Sequence, residues 1–385
     1  AGITVVLAPF NTPDTVLQRL ISLFNVKALV YKTEASARIA KLFSPSLPVK
    51  HWLIVGGSAE RSADTDQKKL ESVVGSAFIA DEKEGEDREL IEDRPLLLVP
   101  KEGSSEEFIG FSESLLLSGI ERAAEFLSGR QSEKSYLYCG FSNYSFTGAL
   151  LKLILPPFSL IPSFVTDGSL NQRTFWQQVL AEDVEIAVLS LSDILAITQR
   201  GKARGWYKPE HFLVTLVEKK RLSKELLKRF ETSFKTPVLP SFFLPEAGGF
   251  VSGFKIKEFY QREKSREKSL WDIEEGALPL SGEISSKAGI SFKEVELTSK
   301  TGVKSIVIDL NKGSFWEVKK GGSISHFEYG AIGFNSNIGG QVIHKEGKDY
   351  LRVWGDLNQA VVEGSSVLNL EEVRNIVLTH RGVKD

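Results

Sequence analysis

Short apolar runs alternate with helical patterns through the first 240 residues, and this alternation constrains the fold more than any other feature. The runs at 26–31 and 212–217 are rich in β-branched and aromatic residues, which is typical of buried strands. Between such runs, apolar residues recur at helical spacing, as they do over residues 17–24. An order of strand, helix and strand predicts an α/β protein with mainly parallel sheets.

The pattern changes near residue 250. Beyond it, runs such as 292–297 are short and alternate apolar with polar residues, and glycine pairs such as 339–340 separate them. These features predict a small antiparallel β subdomain over residues 251–354. Residues 355–385 differ again, because a short extended piece precedes a predicted helix that begins at Asn369 or Leu370 and ends at His380.

Composition excludes several classes of function. The net charge is −2, so no overall basic field favours nucleic acid or an anionic membrane surface. A single cysteine, Cys139, excludes an intramolecular disulfide and a thiolate zinc cluster, and it fits a reducing, cytoplasmic compartment. The five histidines show no metal-binding spacing, and no apolar segment is long enough to span a bilayer. The sequence gives no oligomeric state.

A Gly-Ser-Ser turn at 103–105 follows the apolar run 95–100. Glycine allows backbone N–H groups to converge and serine hydroxyls add donors, so the turn resembles an anion cradle. Three glutamates, Glu102, Glu106 and Glu107, lie in the same stretch. A carboxylate about 4 Å from a phosphate charge would cost roughly 4 kcal/mol at an effective dielectric constant of about 20. The stretch therefore has the shape of a phosphate loop and the wrong charge.

The order of these features resembles the adenylate-forming (ANL) superfamily, which includes acyl-CoA synthetases and o-succinylbenzoate-CoA ligases. The resemblance is spread over the whole chain, and the segments that carry it are 1–13, 101–110, 222–234, 242–249, 354–359, 367–373 and 378–383.

The resemblance implies two stacked α/β subdomains over residues 1–250, the antiparallel β subdomain, and a hinge with the start of a truncated C-terminal lid domain over residues 355–385. It implies ATP, Mg²⁺ and CoA as cofactors if the activity is retained, although no cofactor is certain from the residues. A small-molecule carboxylate or acyl-CoA would be the ligand, and an acyl carrier protein is a further expected partner. No nucleic acid and no membrane span are expected.

The resemblance also implies site residues. Gly103, Ser104, Ser105 and Gly110 remain from the phosphate loop, Glu246 corresponds to the residue that binds Mg²⁺, and the hinge would comprise Asp356, Asn358 and Gln359. The adenylate and acyl pocket would be lined by Phe242, Glu246, Gly248, Gly249 and Ser145.

Departures from the family pattern affect almost every nucleotide-binding motif. Glu102, Glu106 and Ile109 replace a serine, a glycine and the lysine of the phosphate loop. The Gly-Gly-Ala turn beside adenine corresponds to 218–220, and the Thr-Gly-Asp motif, whose aspartate binds the ribose, to 329–331. Asp356 stands at the position of the hinge arginine, and the given sequence stops at Asp385, before the position at which the family carries the lid lysine.

These departures lead to two hypotheses. Because each lost charge-stabilising donor typically costs about 100- to 1000-fold in rate, several concurrent losses predict little ATP chemistry. The first hypothesis is a degenerate, AMP-binding-like protein, a pseudoenzyme that binds an acyl or CoA-type ligand without efficient adenylation. The alternative is an active ATP-dependent carboxylate-CoA or carrier-protein ligase, in which Glu246 binds Mg²⁺.

Overall fold

The structure is a computed structural model of the 385-residue chain. It describes residues 4–9, 11–32, 35, 48–55, 67–69, 94–102, 104–129, 136–159, 161–164, 170–171, 174–200, 211–261, 270–272, 278–297, 300–310, 313–329, 333–363, 366–370, 373 and 377. Gly103 and most of the predicted helix to His380 lie outside these residues. In the part of the chain that is described, no helix is long and apolar enough to cross a membrane.

The strands are β1 (Val5–Val6), β2 (Ala28–Lys32), β3 (His51–Val55), β4 (Gln67–Lys69), β5 (Leu97–Pro100), β6 (Phe108–Phe111), β7 (Tyr136–Cys139), β8 (Ser163–Phe164), β9 (Val184–Leu189), β10 (Leu213–Glu218), β11 (Val238–Leu244), β12 (Gly249–Gly253), β13 (Glu283–Ile284), β14 (Gly289–Leu297), β15 (Lys300–Asp309), β16 (Ser314–Val318), β17 (Ile324–Glu328), β18 (Phe334–Lys345), β19 (Lys348–Asp356), β20 (Ala360–Glu363) and β21 (Ser366–Asn369).

The helices are α1 (Asp14–Leu23), α2 (Glu113–Leu127), α3 (Phe146–Gly148), α4 (Leu155–Ser159), α5 (Phe175–Ala181), α6 (Leu191–Arg200), α7 (Lys224–Phe234) and α8 (Ile256–Gln261). A π-helical segment, Ala149–Ile154, joins α3 to α4, and the 3₁₀ turns Pro245–Ala247 and Leu357–Gln359 follow β11 and β19.

The strand patterns produce two kinds of pairing in one sheet of eleven described strands, in the order β14-β15-β18-β19-β13-β12-β11-β10-β9-β7-β8. From β11 to β8 the pairs are parallel, and from β11 towards β14 they are antiparallel. The change occurs at β12, close to the residue where the sequence pattern changes. A five-stranded sheet has the order β1-β5-β6-β16-β17. The predicted α/β fold class is confirmed.

The described chain divides into two compact units. The first comprises Ala1–Gly110 with Trp316–His326, and the second comprises Phe111–Phe315 with Phe327–Asp385. In the first unit, α1 places Val16 and Leu20 against Leu98, Phe108 and Val318. The proposed boundaries at residues 250 and 354 stay a prediction.

Helix α2 organises the core of the second unit. Ser112 caps it, because the Ser112 hydroxyl accepts a hydrogen bond from the N–H of Leu115. The apolar face of α2 is buried, with Leu115, Ala123 and Leu127 each 0% exposed. The same face packs on β12, and it buries one cation, Arg122.

Candidate functional site

In the first unit, the loop between β5 and β6, which resembles a phosphate loop in sequence, satisfies several of its own backbone donors. Lys101 donates its N–H to the carbonyl of Glu107 at 2.8 Å, which closes the loop between β5 and β6. The hydroxyl of Ser104 accepts from the N–H groups of Glu106 at 3.2 Å and Glu107 at 3.0 Å. Two N–H groups of the kind that would bind a phosphate therefore already have an acceptor in the chain. Ser105 is exposed.

Lysines of the first unit balance part of the charge of this loop. Glu106 pairs with Lys320 at 3.1 Å, and Lys101 pairs with Glu317 at 2.9 Å. All four side chains keep some exposure, so each pair is worth at most about 1 kcal/mol. Glu106 thus has a partner within its own unit and does not need a cationic ligand.

The residues that follow the loop belong to a buried strand. Ile109, at the position of the family lysine, is only 3% exposed. A Cβ atom added at Gly110 would lie 2.8 Å from the Cβ of Pro95. The requirement for glycine at 110 therefore comes from packing between neighbouring strands, and phosphate contact is not needed to explain it.

The second unit contains a polar pocket, which we call the Glu246 pocket. Its volume is about 320 Å³. It is lined by residues of four separate chain segments: Lys219 and Lys220; Leu244 and Glu246; Phe334, Ser336, Asn337 and Ile338; and Asp356, Asn358 and Gln359. Glu246 and all three predicted hinge residues are therefore brought together.

Glu246 lies in a turn that backbone hydrogen bonds and packing hold in place. The 3₁₀ turn Pro245–Ala247 ends at Gly248, whose φ of 73° favours glycine. The hydroxyl of Tyr329 donates to the backbone carbonyl of Glu246 at 2.9 Å. The Oε2 atom of Glu246 is buried and has no hydrogen-bond partner among the described residues. A buried carboxylate oxygen without a donor is a suitable ligand for a cation.

This carboxylate fits Mg²⁺ in one way only. The described residues contain no group of three or more His, Cys, Asp or Glu side chains that could hold a metal ion. Mg²⁺ is often held by one or two carboxylates together with phosphates of a nucleotide. Glu246 would supply the protein's ligand in such an arrangement.

The turn after β10 has an internal acceptor as well. The Oε1 atom of Glu218 accepts from the N–H groups of Lys219 at 3.0 Å and Lys220 at 3.3 Å. Glu218 thereby fixes the backbone that carries the two lysines at the pocket. The family's adenine turn is predicted at this position, and the structure does place residues 219 and 220 on the pocket wall.

Sequence reasoning missed Asn337. It has a left-handed φ of 56°, and its N–H donates to the side-chain oxygen of Asn335 at 3.0 Å. The ribose motif is predicted at 329–331, but Tyr329 donates its hydroxyl to the backbone of the Glu246 turn and does not line the pocket. Residues 330 and 331 lie outside the described residues. The Asn-Ser-Asn run at 335–337 was the available signal, since asparagine tolerates left-handed backbone.

The predicted hinge residues form a turn at the wall of the Glu246 pocket. The Oδ1 atom of Asp356 accepts from the N–H of Asn358 at 2.9 Å, which begins the 3₁₀ turn. Leu357 is buried, whereas Asn358 and Gln359 are exposed. Asp356 therefore has a local structural role in addition to its place on the pocket wall.

The predicted acyl-pocket residues other than Glu246 lie within packed structure. Phe242 is 0% exposed. A Cβ atom at Gly249 would lie 3.3 Å from the ring of Phe243, which in turn contacts Phe146 and Phe250 at centroid distances of 6.1 and 5.2 Å.

Gly248 and Ser145 have structural roles of their own. A Cβ atom at Gly248 would lie 2.7 Å from the carbonyl oxygen of Leu115. Ser145 caps α3, because its hydroxyl accepts from the N–H of Gly148 at 3.1 Å. Neither residue lines the Glu246 pocket.

No protein-family model matches the sequence, and no curated protein matches it. Solved structures do match. Coronafacic acid ligase from Pectobacterium brasiliense has a TM-score of 0.71 and 11% identity, over 98% of this chain and 68% of the ligase. An anthranilate CoA ligase in complex with anthranoyl-AMP has a TM-score of 0.68 and 11% identity, over the same shares of each chain.

O-succinylbenzoate coenzyme A synthetase from Bacillus subtilis in complex with AMP has a TM-score of 0.57 and 13% identity, over 99% of this chain and 74% of the synthetase. The same synthetase in complex with ATP and magnesium ion has a TM-score of 0.56. All of these structures are adenylate-forming ligases. The resemblance inferred from the sequence is thus confirmed at the level of structure: this chain has the fold of the adenylate-forming ligases.

Proposed function

We propose that this protein binds an acyl or CoA-type ligand in an adenylate-forming-ligase fold and does not adenylate a carboxylate efficiently. The observation that carries the proposal is the loop 101–107, in which Ser104 accepts the N–H groups of Glu106 and Glu107. The phosphates of a nucleoside triphosphate would have to displace this hydroxyl from both N–H groups. They would also meet the carboxylate of Glu106. The lysine that the family carries in this loop is replaced by the buried Ile109, so no cation at that position would offset the phosphate charge.

The Glu246 pocket supports binding of the nucleotide half of a CoA-type ligand. Its volume of about 320 Å³ is near the lower end of small-molecule sites, which span about 300–1000 Å³. Amides, carboxylates and two lysines line it, so it suits a polar ligand with phosphate groups better than an acyl chain. CoA carries an adenine nucleotide, and related folds have been solved with AMP and anthranoyl-AMP.

The alternative, an active ATP-dependent ligase, is favoured by one observation. The buried Oε2 atom of Glu246 has no partner in the described chain, and it fits Mg²⁺ together with nucleotide phosphates. Mg²⁺ would neutralise phosphate charge there when bound. In either case the acyl group would come from a small-molecule carboxylate or thioester, and a carrier protein and a cytoplasmic location stay predictions.

Calorimetric titration of the full chain separates the two functions. We expect micromolar binding of CoA or acetyl-CoA and at least tenfold weaker binding of ATP·Mg²⁺. Glu246→Ala should weaken the CoA affinity, because this carboxylate would accept hydrogen bonds from the amino or hydroxyl groups of the nucleotide half. Glu294→Ala, at an exposed carboxylate of β14, should not change the affinity. Tight ATP·Mg²⁺ binding that depends on Glu246, together with carboxylate-dependent exchange of pyrophosphate into ATP, would establish the active ligase instead.

A further inference from the structure

Arg122 is a buried cation whose hydrogen bonds converge on the turn that carries Glu246. Its side chain is 0% exposed. Nε donates to the carbonyl of Phe250 at 2.7 Å, and the two terminal nitrogens donate to the carbonyl of Ala247 and the hydroxyl of Ser118. All three acceptors are neutral. Burial lowers the pKa of Arg122 to about 10, because the guanidinium loses its hydration.

A buried guanidinium without a bonded carboxylate is costly, so packing alone does not explain it. Desolvation of such a group remains strongly unfavourable in real proteins, even after relaxation of the surroundings. What a guanidinium adds is a rigid fork that reaches two acceptors at fixed geometry. Here the fork spans the carbonyls of residues 247 and 250, on the C-terminal side of Glu246.

Tyr329 and Gly119 complete this arrangement. The Tyr329 hydroxyl holds the carbonyl of Glu246 itself at 2.9 Å. On α2, Gly119 allows the carbonyl of Gly248 to approach so closely that a Cβ atom there would lie 2.0 Å away. The backbone carbonyls of residues 246, 247, 248 and 250 are thus fixed from one side. By contrast, the Oε2 atom of Glu246 has no hydrogen-bond partner among the described residues, and Glu246 lines the pocket.

We propose that Arg122 is the positioning residue that fixes the Glu246 carboxylate in its pocket, although it touches no ligand itself. The inference rests on the proposed function only in requiring that the Glu246 pocket binds a ligand. Arg122→Lys keeps the positive charge and most of the side-chain length, but it removes the planar guanidinium that donates to two carbonyls at once. Leu227→Ala is a matched control, since it destabilises the same unit from α7 without touching the pocket.

The test is a double-mutant cycle in CoA affinity, measured by calorimetry on folded protein. We expect Arg122→Lys to weaken the affinity roughly 10-fold, the effect of one lost charged hydrogen bond. In a Glu246→Gln background, Arg122→Lys should change the CoA affinity less than about 2-fold, because the two residues act as one unit. Leu227→Ala should leave the affinity unchanged. An equal loss in both backgrounds, or no loss at all, would overturn the proposal.

Amide hydrogen exchange separates this proposal from the proposed function. The N–H of Gly248 donates to the carbonyl of Pro245 at 2.7 Å, so it reports opening of the turn. Arg122→Lys should speed its exchange at least about 10-fold relative to the amides of β10. If CoA does not bind the wild-type protein, the proposed function fails, and the exchange rate of the Gly248 amide alone then tests the positioning role of Arg122. Unchanged exchange at Gly248 would overturn the positioning role.

Discussion

Gly119→Ala is expected to destabilise the protein, although the same change in an ordinary helix stabilises it. In a helix interior, alanine is favoured over glycine by about 1 kcal/mol. At position 119, however, the new Cβ atom would lie 2.0 Å from the carbonyl oxygen of Gly248. Real contacts of this kind do not fall below 3.0 Å, so α2 and the Glu246 turn would have to separate by about 1 Å.

The magnitude follows from what that separation breaks. Overpacking costs roughly 1–3 kcal/mol. A shift of about 1 Å would also stretch the 2.7 Å bond from Arg122 to Phe250, and a charged hydrogen bond is worth about 1.5–3 kcal/mol. After subtraction of the helix-propensity gain, we expect a net loss of roughly 1.5–5 kcal/mol in the free energy of unfolding.

Urea denaturation followed by circular dichroism measures this change. Leu117→Ala is the control, because Leu117 lies on the same helix and is 38% exposed. Loss of this partly exposed side chain should cost no more than about 1 kcal/mol. A Gly119→Ala protein as stable as the wild type, or more stable, would show that α2 and the turn are not in backbone contact, and the packing derived for Gly248 would be wrong.

Three further predictions test other parts of the molecule. Ile109→Lys should destabilise the protein by several kcal/mol in urea denaturation and should not restore ATP binding, because the strand position is buried; Ile109→Val should cost only about 1 kcal/mol. Cys139 should be almost inert to Ellman's reagent in the native state at pH 8 and react at once in denaturant; burial raises its pKa to about 11, so only about one thiol in a thousand is ionised. Rapid native labelling would contradict that burial. Asn337→Ala should lose about 1 kcal/mol of stability in the same assay, since its φ is 56°, and Asn337→Gly should lose less.

The fold could be predicted because its signals are local. Alternating strands and helices indicate parallel pairing, and the shift to short alternating strands marks the change to antiparallel pairing at β12. Ser112 and Ser223 each stand directly before a helix, which is where a capping serine is favoured, and each accepts from an N–H three residues ahead.

The site could be predicted only in part, because its contacts are distant in sequence. Glu246 and the predicted hinge residues were assigned separately from the sequence, and the structure places them on the wall of one pocket. Gly248 and Gly249 were read as pocket lining, yet their surroundings are set by Leu115 and Phe243. No local pattern reveals that a glycine faces the backbone of another helix, and Arg122 gave no signal because a lone arginine on a helix is usually exposed.

The Ser104 hydroxyl has one more consequence. It is an intramolecular competitor, tethered two and three residues from the N–H groups that it occupies. Its effective concentration is set by the short connecting chain, and dilution of the protein does not lower it. An anion arriving from solution must therefore outcompete a partner that is always present. Raising the concentration of free phosphate or nucleotide would do little at this loop, whereas removing a single oxygen atom, by Ser104→Ala, would leave two donors open to the next available anion.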